Sequence, residues 1–224
     1  MTTAEGVSSA VQDYAKAIYA LQGRSGGEAV ATNDLAARLG VTPASASSMV
    51  RKLAELGLVD LEPYHGVTLT AEGQRVALEV LRHHRLLELY LAEHLGVPWD
   101  RVHEEAEALE HVISEDLEAR IAAKLGDPTH DPHGDPIPTV DLAIDETATR
   151  SLESLEAGTR GRFVRVSDSD PAMLRYLDER GIALGEELEV VERQPFGGPL
   201  TVVIGGARQV LGGALARAMR VEVG

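Results

Sequence analysis

The chain has 224 residues, of which 44% are hydrophobic and 25% charged, a composition typical of globular proteins built from two or three small domains. It contains no cysteine, which excludes disulfides, thiolate zinc sites and cysteine nucleophiles. No apolar run approaches the roughly 18 residues of a membrane span. The first residues also lack the pattern of a secretory signal, so we expect a cytoplasmic protein.

The formal charge of −15 is unevenly distributed along the chain. Residues 1–75 carry six basic and eight acidic side chains and contribute only −2. Nucleic-acid binding requires Lys and Arg against phosphate, so a DNA-binding segment is expected there and not in the acidic remainder. The surplus carboxylates after residue 75 are available to bind cations.

Two helices are predicted near the N-terminus. Apolar residues recur at helical spacing over roughly residues 9–22, and Ser9 with Gln12 three residues later is typical of a capping box. After a glycine-rich connection, Thr32 or Asn33 is expected to cap a short second helix.

A third helix and a β-hairpin complete this segment. Thr42 is the predicted N-cap with Pro43 in the first turn, and Gly57 ends the helix. Two short strands follow around a turn near residues 65–66. Helix, helix, turn, helix and hairpin is the element order of a winged helix-turn-helix DNA-binding domain.

The third helix has the composition of a DNA recognition helix. Small side chains let its backbone approach the major groove, and basic ones place positive charge near phosphate. The candidate DNA-binding residues are Thr42, Pro43, Ser45, Ser47, Ser48, Arg51 and Lys52. A serine-rich surface helix has a similar composition, and the surrounding element order favours DNA binding. Few of these side chains can make bidentate base contacts, so recognition is expected to depend on DNA shape.

The remainder of the chain is predicted to be helical at first and to form β-strands towards its end. Thr70 is expected to cap a long helix that runs to about Leu95, and a further helix is predicted over about residues 100–125. Residues 127–143 are dense in Pro, Gly, Asp and His, which indicates a linker. From about residue 148, short apolar segments and one short helix predict a small SH3-like β-barrel. The predicted fold is mainly α with small β elements. Its three predicted domains are residues 1–75, 76–147 and 148–224.

The segment 102–114 carries the clearest functional pattern. Four of its side chains are spaced to line one face of a single helix beside the apolar stripe. They are His103, Glu107, Glu110 and His111. Half-buried carboxylates and imidazoles are costly unless a cation neutralises them, which favours a metal site. On the preceding helix His84 and Glu88 lie one turn apart, and antiparallel packing would bring the two groups together.

A solvated, glutamate-rich helix face is the alternative interpretation of each group taken alone. The two groups together favour metal binding. Four other histidines are predicted to be exposed to solvent, two on helix surfaces and two in the linker, and metal binding is the alternative for the two in the linker. They are His83, His94, His130 and His133.

Taken together, these motifs resemble the diphtheria-toxin-repressor family of metal-dependent transcriptional regulators, and within it the manganese-transport-regulator branch. The resemblance covers essentially the whole chain. It rests on QDYAKAIYAL, TPASASSMVRKLAELGLV, HRLLE, VHEEAEALEHVIS and DPHGDPIP. It implies a winged-helix domain, a helical metal-binding and dimerisation domain, and a C-terminal SH3-like domain of the FeoA type.

The resemblance also implies two neighbouring metal positions in each subunit. The first combines a carboxylate of the first helix with three residues of the segment 102–114, namely Asp13, Glu107, Glu110 and His111. The second combines three helical residues with one residue of the third domain, namely His84, Glu88, His103 and Asp168. Glu110 or His84 is placed by the resemblance to contact both metals.

The donor atoms favour Mn(II). The iron-sensing branch uses sulfur donors at the positions of Asp13 and Glu107, and hard oxygen donors suit Mn(II) better. Fe(II) remains the alternative, because affinity rises from Mn(II) to Fe(II) at most sites. Lys16 departs from the family pattern, since small manganese sensors place a glutamate ligand there, so this site must differ from theirs.

The implied function is a repressor that binds a palindromic DNA operator as a homodimer when metal orders its domains. The helices of residues 71–125 are implied as the dimer interface. Candidate interface residues are Leu81, Leu86, Leu89 and Leu91, which are equally compatible with a core. Two other functions compete: a dinuclear metallohydrolase, which would leave a winged helix unused, and a metal-independent regulator.

Overall fold

A computed structural model describes residues 6–62, 65–145 and 147–224. The chain forms two compact units, each assembled from separate stretches of sequence. Unit 1 comprises residues 1–86, 107–124 and 138–143, and unit 2 comprises residues 87–106, 125–137 and 144–224. Within the described ranges, no helix combines the length and the apolar character that a membrane crossing requires.

The first part of unit 1 folds as three helices and a hairpin around one apolar core. Ile18, Leu35 and Leu53, one from each helix, are completely buried in it. The helices are α1 (Ser9–Arg24), α2 (Thr32–Leu39) and α3 (Pro43–Glu55), and the antiparallel strands are β1 (Val59–Glu62) and β2 (Gly66–Leu69). The predicted winged helix-turn-helix is confirmed. Residues 63 and 64, between the two strands in the sequence, lie outside the described ranges.

Two predicted helix caps are present. The Thr42 hydroxyl accepts a hydrogen bond from the Ser45 backbone N–H at 3.2 Å, with Pro43 in the first turn. The Thr70 hydroxyl accepts one from the Gly73 N–H at 3.1 Å. Each cap satisfies one of the backbone donors that a helix start leaves without an intrahelical partner.

Two other predicted caps are wrong. The N-cap of α1 is Ser8 rather than Ser9, and the N-cap of α2 is Ala31 rather than Thr32 or Asn33. Neither N-cap side chain hydrogen-bonds the helix. The first residues of both helices are accessible to solvent, so water can satisfy their N–H groups without a side-chain cap.

Three further helices follow, α4 (Ala71–Leu95), α5 (Val102–Leu109) and α6 (Glu115–Leu125). The prediction of one helix over residues 100–125 is therefore wrong, because the chain leaves helical geometry after Leu109. Ser114 starts the next helix: its hydroxyl accepts a hydrogen bond from the Leu117 N–H at 3.3 Å. The first turn of α6 carries Glu115 and Asp116, whose charges are favourable at a helix N-terminus.

The leucines suggested for a dimer interface are mostly covered within the single chain. Leu86, Leu89 and Leu91 are at most 9% exposed, and Leu81 is half-buried. Their burial favours the core interpretation over the interface interpretation.

The C-terminal part of unit 2 is a six-stranded antiparallel sheet in the order β3-β8-β4-β5-β6-β7. The strands are β3 (Arg150–Ser151), β4 (Arg160–Val166), β5 (Glu187–Arg193), β6 (Leu200–Ile204), β7 (Ala207–Leu211) and β8 (Met219–Val223). The short helices are α7 (Pro171–Asp178) and α8 (Gly213–Ala218). Phe163, Val190 and Val202 are among the fully buried side chains of its core. The predicted SH3-like domain is confirmed.

Residues 127–137, part of the predicted linker, form an irregular loop of unit 2. Its first four residues are mostly exposed, whereas Asp131, His133, Pro136 and Ile137 are buried. One carboxylate oxygen of Asp131 accepts hydrogen bonds from two backbone N–H groups of this loop, at 2.8 and 2.9 Å. Gly134 has φ 84°, and a Cβ there would lie 2.0 Å from the carbonyl oxygen of Val164 in β4. The loop therefore requires glycine at this position and holds His133 beside the strand.

Candidate metal centres and DNA-reading surface

Unit 1 brings one carboxylate of α1 together with the turn that follows α5. The Nε2 atom of His111 lies 2.8 Å from a carboxylate oxygen of Asp13 and 3.5 Å from one of Glu110. The three residues each offer a ligand atom within 4.8 Å of the others. The expectation that Glu110 and His111 share a helix face with Glu107 is wrong, because both lie beyond the last residue of α5. The turn, and not helical periodicity, aims them at α1.

His84 contacts this same cluster. Its Nδ1 atom lies 2.5 Å from one Glu110 carboxylate oxygen and 4.0 Å from a Glu107 oxygen. The resemblance implies that His84 belongs to the second metal position. Within unit 1, the acidic residue nearest to it is Glu110, which belongs to the predicted first position.

Lys16 fills the centre of the cluster with a positive charge. Its ammonium lies 2.6 Å from a Glu107 oxygen and 2.6 and 2.9 Å from the two oxygens of Glu110. Burial lowers the pKa of Lys16, but the two carboxylates outweigh it and raise the pKa overall, so the ammonium stays charged. For the Glu110 carboxyl, burial alone would raise the pKa. The neighbouring His84 and Lys16 outweigh burial, so the pKa of Glu110 is lowered overall.

The charges in this cluster fit a divalent cation. The carboxylates of Asp13, Glu107 and Glu110 carry −3, and the ammonium of Lys16 reduces this to −2 when both imidazoles are neutral. Burial, ahead of the attraction from His111, raises the pKa of Asp13, which marks an unrelieved cost of negative charge at this position. Oxygen and imidazole donors are the ligands that Mn(II), Fe(II) and Zn(II) accept. These residues therefore fit a divalent metal ion.

A buried glutamine sets the orientation of His111. The Gln12 side chain is only 4% exposed, and its amide oxygen lies 2.5 Å from His111 Nδ1. An amide oxygen only accepts, so Nδ1 carries the proton and Nε2 is left to face Asp13 and Glu110. A ligand imidazole held through its other ring nitrogen is the usual arrangement at protein metal sites. Sequence analysis missed this role, having placed Gln12 in a capping box.

We expect Gln12→Leu to weaken Mn(II) binding in unit 1 by about tenfold, because His111 would lose the acceptor that fixes its ring. Leucine keeps the side chain's size in a buried position, so the fold should persist. Gln74→Leu, the same change at an exposed position of α4, is the control. Mn(II) titration of the three proteins measures the effect, and equal affinities would exclude an orienting role for Gln12.

Unit 2 holds a second cluster of candidate ligand residues. The Nδ1 atom of His103 lies 3.2 Å from a Glu88 oxygen and 2.9 Å from an Asp168 oxygen. Hydrogen bonds to Asp168 and Glu88 raise the pKa of His103 to about 10, against a smaller opposing effect of burial. The three side chains, from α4, α5 and the loop before α7, form a compact acidic and imidazole group.

The loop of residues 127–137 adds two more candidate ligands in unit 2. His133 is completely buried, and its Nε2 atom lies 2.7 Å from the Trp99 carbonyl oxygen, to which it donates. Its Nδ1 atom has no hydrogen-bond partner among the described residues and lies 3.8 Å from Glu88. Asp131, His133 and Glu88 offer ligand atoms within 4.8 Å of one another. The prediction that His133 is exposed is wrong, because the Gly134 turn folds it inward.

Metal binding at the unit 2 cluster is expected to release a proton from His103. Since its pKa is raised to about 10, the metal-free imidazole is protonated at neutral pH and must lose that proton to bind metal. The affinity should therefore rise with pH, about tenfold per unit between pH 7 and 9 for one proton. Calorimetry in two buffers of different ionisation enthalpy counts the protons. In His103→Gln the count should fall by one, and an unchanged count would contradict this assignment.

The candidate DNA-binding residues lie on one exposed face of unit 1. All seven positions from Thr42 to Lys52 named above are exposed, whereas Ala46, Val50 and Leu53 on the opposite side of α3 are buried. Leu56, which follows the last residue of the helix, is 44% exposed. The face has a hydroxyl-rich N-terminus and two basic side chains near its C-terminus.

Comparison with known proteins agrees with this arrangement. Family models match three consecutive parts of the chain: the iron-dependent repressor N-terminal DNA-binding domain over residues 7–67, the iron-dependent repressor metal-binding and dimerisation domain over 70–139, and the FeoA domain over 150–223. The diphtheria toxin repressor of Corynebacterium efficiens is 31% identical over 84% of this chain and 85% of its own length. The iron-dependent repressor IdeR of Mycobacterium tuberculosis is 32% identical over 84% and 86%.

Solved structures give the same result. A structure described as a manganese-dependent transcriptional repressor in complex with manganese is 46% identical and covers 95% of this chain and 99% of its own, with a TM-score of 0.88. The manganese regulator SloR is 31% identical over 96% and 98%, with a TM-score of 0.78. These relatives are named as transcriptional repressors or regulators. They do not support the dinuclear metallohydrolase considered as a competing function in the sequence analysis. The chain belongs to the diphtheria-toxin-repressor family of metal-dependent, DNA-binding transcriptional repressors.

Proposed function

We propose that this chain is a manganese(II)-dependent repressor that acts in the cytoplasm and binds a palindromic operator as a homodimer. The observation that carries the choice of metal is the donor set of the unit 1 cluster. Asp13, Glu107 and Glu110 supply carboxylates and His111 an imidazole, and the chain has no cysteine to add a softer donor. The solved relatives named as manganese-dependent support this choice.

We propose two metal positions in each subunit. The first uses Asp13, Glu107, Glu110 and His111, with His84 beside Glu110. The second uses Glu88, His103 and Asp168, with His84 one helical turn before Glu88, and the buried loop pair Asp131 and His133 as additional ligands. The three domains we assign to these tasks are residues 1–75 for DNA, 76–147 for metal and dimerisation, and 148–224 for the FeoA-like part.

The proposed mechanism rests on the position of Asp13. It lies on α1, which also carries Tyr14 and Ile18 into the core of the helix-turn-helix. A divalent cation supplies positive charge and coordination bonds, through which Asp13 is held against Glu110 and His111. Asp13 thereby fixes α1, and with it α3, relative to the turn after α5. Two α3 helices held at a defined separation in a dimer then match the half-sites of an operator.

The DNA-reading residues have separate tasks in this proposal. Arg51 and Lys52 pair with phosphates, and the small side chains of Thr42, Ser45 and Ser48 allow close approach to the groove. By linkage, operator DNA tightens metal binding by the same factor by which metal tightens DNA binding.

Fluorescence anisotropy with a palindromic site from the protein's own upstream DNA tests the proposal. We expect no binding without metal, and binding at a lower free concentration of Mn(II) than of anaerobic Fe(II). Arg51→Ala is the control: it should weaken DNA binding and leave Mn(II) binding unchanged. Operator binding that is unchanged by Mn(II) and by Fe(II) would overturn the proposal.

Iron is the second candidate metal, because the relatives found by sequence are named iron-dependent repressors. Equal or stronger activation of operator binding by Fe(II) in the same titration would identify the chain as an iron-dependent repressor.

A further inference from the structure

A third group of ligand residues in unit 1 lies outside both clusters described above. It consists of His83 on α4 and Glu115 and Glu118 on α6. His83 was predicted to lie on the surface, but it is only 2% exposed. The prediction is wrong because α6, more than thirty residues later in the chain, packs over this position.

The imidazole of His83 is held so that one nitrogen faces the two carboxylates. Its Nδ1 atom lies 3.2 Å from the backbone carbonyl oxygen of Glu110. A carbonyl only accepts, so Nδ1 carries a proton and donates. The Nε2 atom is buried and, in the part of the chain that the structure describes, makes no well-aligned hydrogen bond. It lies 3.1 Å from a Glu118 oxygen and 3.6 Å from a Glu115 oxygen.

The separations match those of ligand atoms around one metal ion. Atoms about 2.1 Å from a metal lie about 3.0 Å apart at a right angle and about 3.4 Å apart at the tetrahedral angle. The 3.1 and 3.6 Å distances from His83 Nε2 to Glu118 and Glu115 are close to these values. A ligand histidine that donates its other N–H to a backbone carbonyl is the arrangement expected at a metal site.

Glu118 is positioned for the same task. One of its carboxylate oxygens accepts a hydrogen bond from the Arg82 guanidinium at 2.6 Å, and the other faces His83. Arg82 is fixed in turn by the Pro138 carbonyl oxygen at 2.7 Å. Both Glu118 and Arg82 are buried, so the oxygen that faces His83 is held in place before any ion arrives.

The charge and access at this group suit a small cation. A surface cavity is bordered by the carboxylates of Glu79, Glu115 and Glu118 and by two arginines, which leaves a net charge of −1. The Glu115 side chain is 58% exposed, so it gives an ion a path from solvent and leaves room for coordinated water.

We propose that His83, Glu115 and Glu118 form a third divalent-cation site, with one nitrogen and two oxygen ligands from the protein and water at the remaining positions. Such an ion connects α4 to the first turn of α6. His83 also hydrogen-bonds the backbone of Glu110, whose side chain belongs to the first cluster. The third site therefore stabilises the turn that carries Glu110 and His111. The competing state is a protonated His83 paired with Glu118 alone.

Metal counting distinguishes the two states. The full-length protein is dialysed against increasing free Mn(II) until wild type is saturated, and bound metal per chain is measured by mass spectrometry, then again with Zn(II). We expect Glu115→Gln and His83→Gln each to bind one ion fewer than wild type. Asp116→Asn, a more exposed acid of the same helix turn, should bind as many as wild type.

Glu115→Gln is the decisive variant, because its exposed side chain can be changed without disturbing the core. Full wild-type stoichiometry with both metals in Glu115→Gln and His83→Gln would overturn the proposal. The result is independent of the repressor proposal, since Asp13→Met removes a ligand of the first cluster and should leave the ion that Glu115→Gln removes.

Discussion

Asp13→Met should raise the Mn(II) concentration needed for operator binding by at least about a hundredfold. The substitution removes a carboxylate 2.8 Å from His111 and replaces a hard donor with a thioether. It also lowers the negative charge of the cluster by one, which weakens the attraction for a divalent ion. A hundredfold change corresponds to about 2.7 kcal/mol of binding free energy.

Folding should be affected far less than metal response in this variant. The Asp13 side chain is 40% exposed, and its pKa is raised mainly by partial burial, so the folded metal-free state gains little from its charge. We therefore expect a thermal midpoint close to that of wild type without metal and a much smaller rise on adding Mn(II). Asp178→Met, the same change on the exposed part of α7, is the control. Wild-type Mn(II) dependence in Asp13→Met would remove Asp13 from the ligand set.

Features that depend on neighbouring residues in the chain are predictable from the sequence. Thr42 and Pro43 start α3 because the cap and the first-turn proline act within three residues. The winged-helix order and the β character of the C-terminal part follow from similar local patterns. The structure also brings together three residues of the predicted first site, Asp13, Glu110 and His111, whose role as metal ligands stays a prediction.

Features that depend on distant partners were missed. Gln12 orients His111 across 99 residues. His133 is folded inward by the Gly134 turn, and its ring N–H donates to the carbonyl oxygen of Trp99, 34 residues away. Pro, Gly and Asp are common both in solvated linkers and in tight, buried loops. The composition of residues 127–143 therefore does not distinguish the two. The break after Leu109 was hidden because helical spacing continues through it, although Ser114 before two acidic residues is a start signal that the sequence contains.

Lys16→Gln should tighten Mn(II) binding to the unit 1 cluster by about ten- to a hundredfold. The Lys16 ammonium contacts both Glu107 and Glu110 at 2.6 Å, so it holds the carboxylates that a metal ion needs. An arriving cation must share these oxygens with the ammonium or displace it. Glutamine keeps most of the side-chain length and removes the charge.

Two effects act in the same direction. Two unit charges 4 Å apart repel by about 4 kcal/mol at an effective dielectric constant of 20, and a divalent ion doubles this. The lysine chain can swing towards solvent, so only part of that repulsion is relieved by the substitution. Loss of Lys16 also leaves the buried Glu110 carboxylate with less compensating charge, which destabilises the metal-free state. The thermal midpoint should fall without metal and rise more steeply with Mn(II) than in wild type.

Lys16→Arg is the matched control, because it retains the positive charge beside Glu107 and Glu110. Its Mn(II) affinity should stay within a few-fold of wild type, while Lys16→Gln binds operator DNA at lower free Mn(II). Equal affinities in wild type, Lys16→Arg and Lys16→Gln would mean that the ammonium leaves the cluster without cost when metal binds. The expected separation of the two variants would instead make Lys16 an internal competitor for the metal. The free Mn(II) level at which this repressor responds would then be set by a residue that is not itself a ligand.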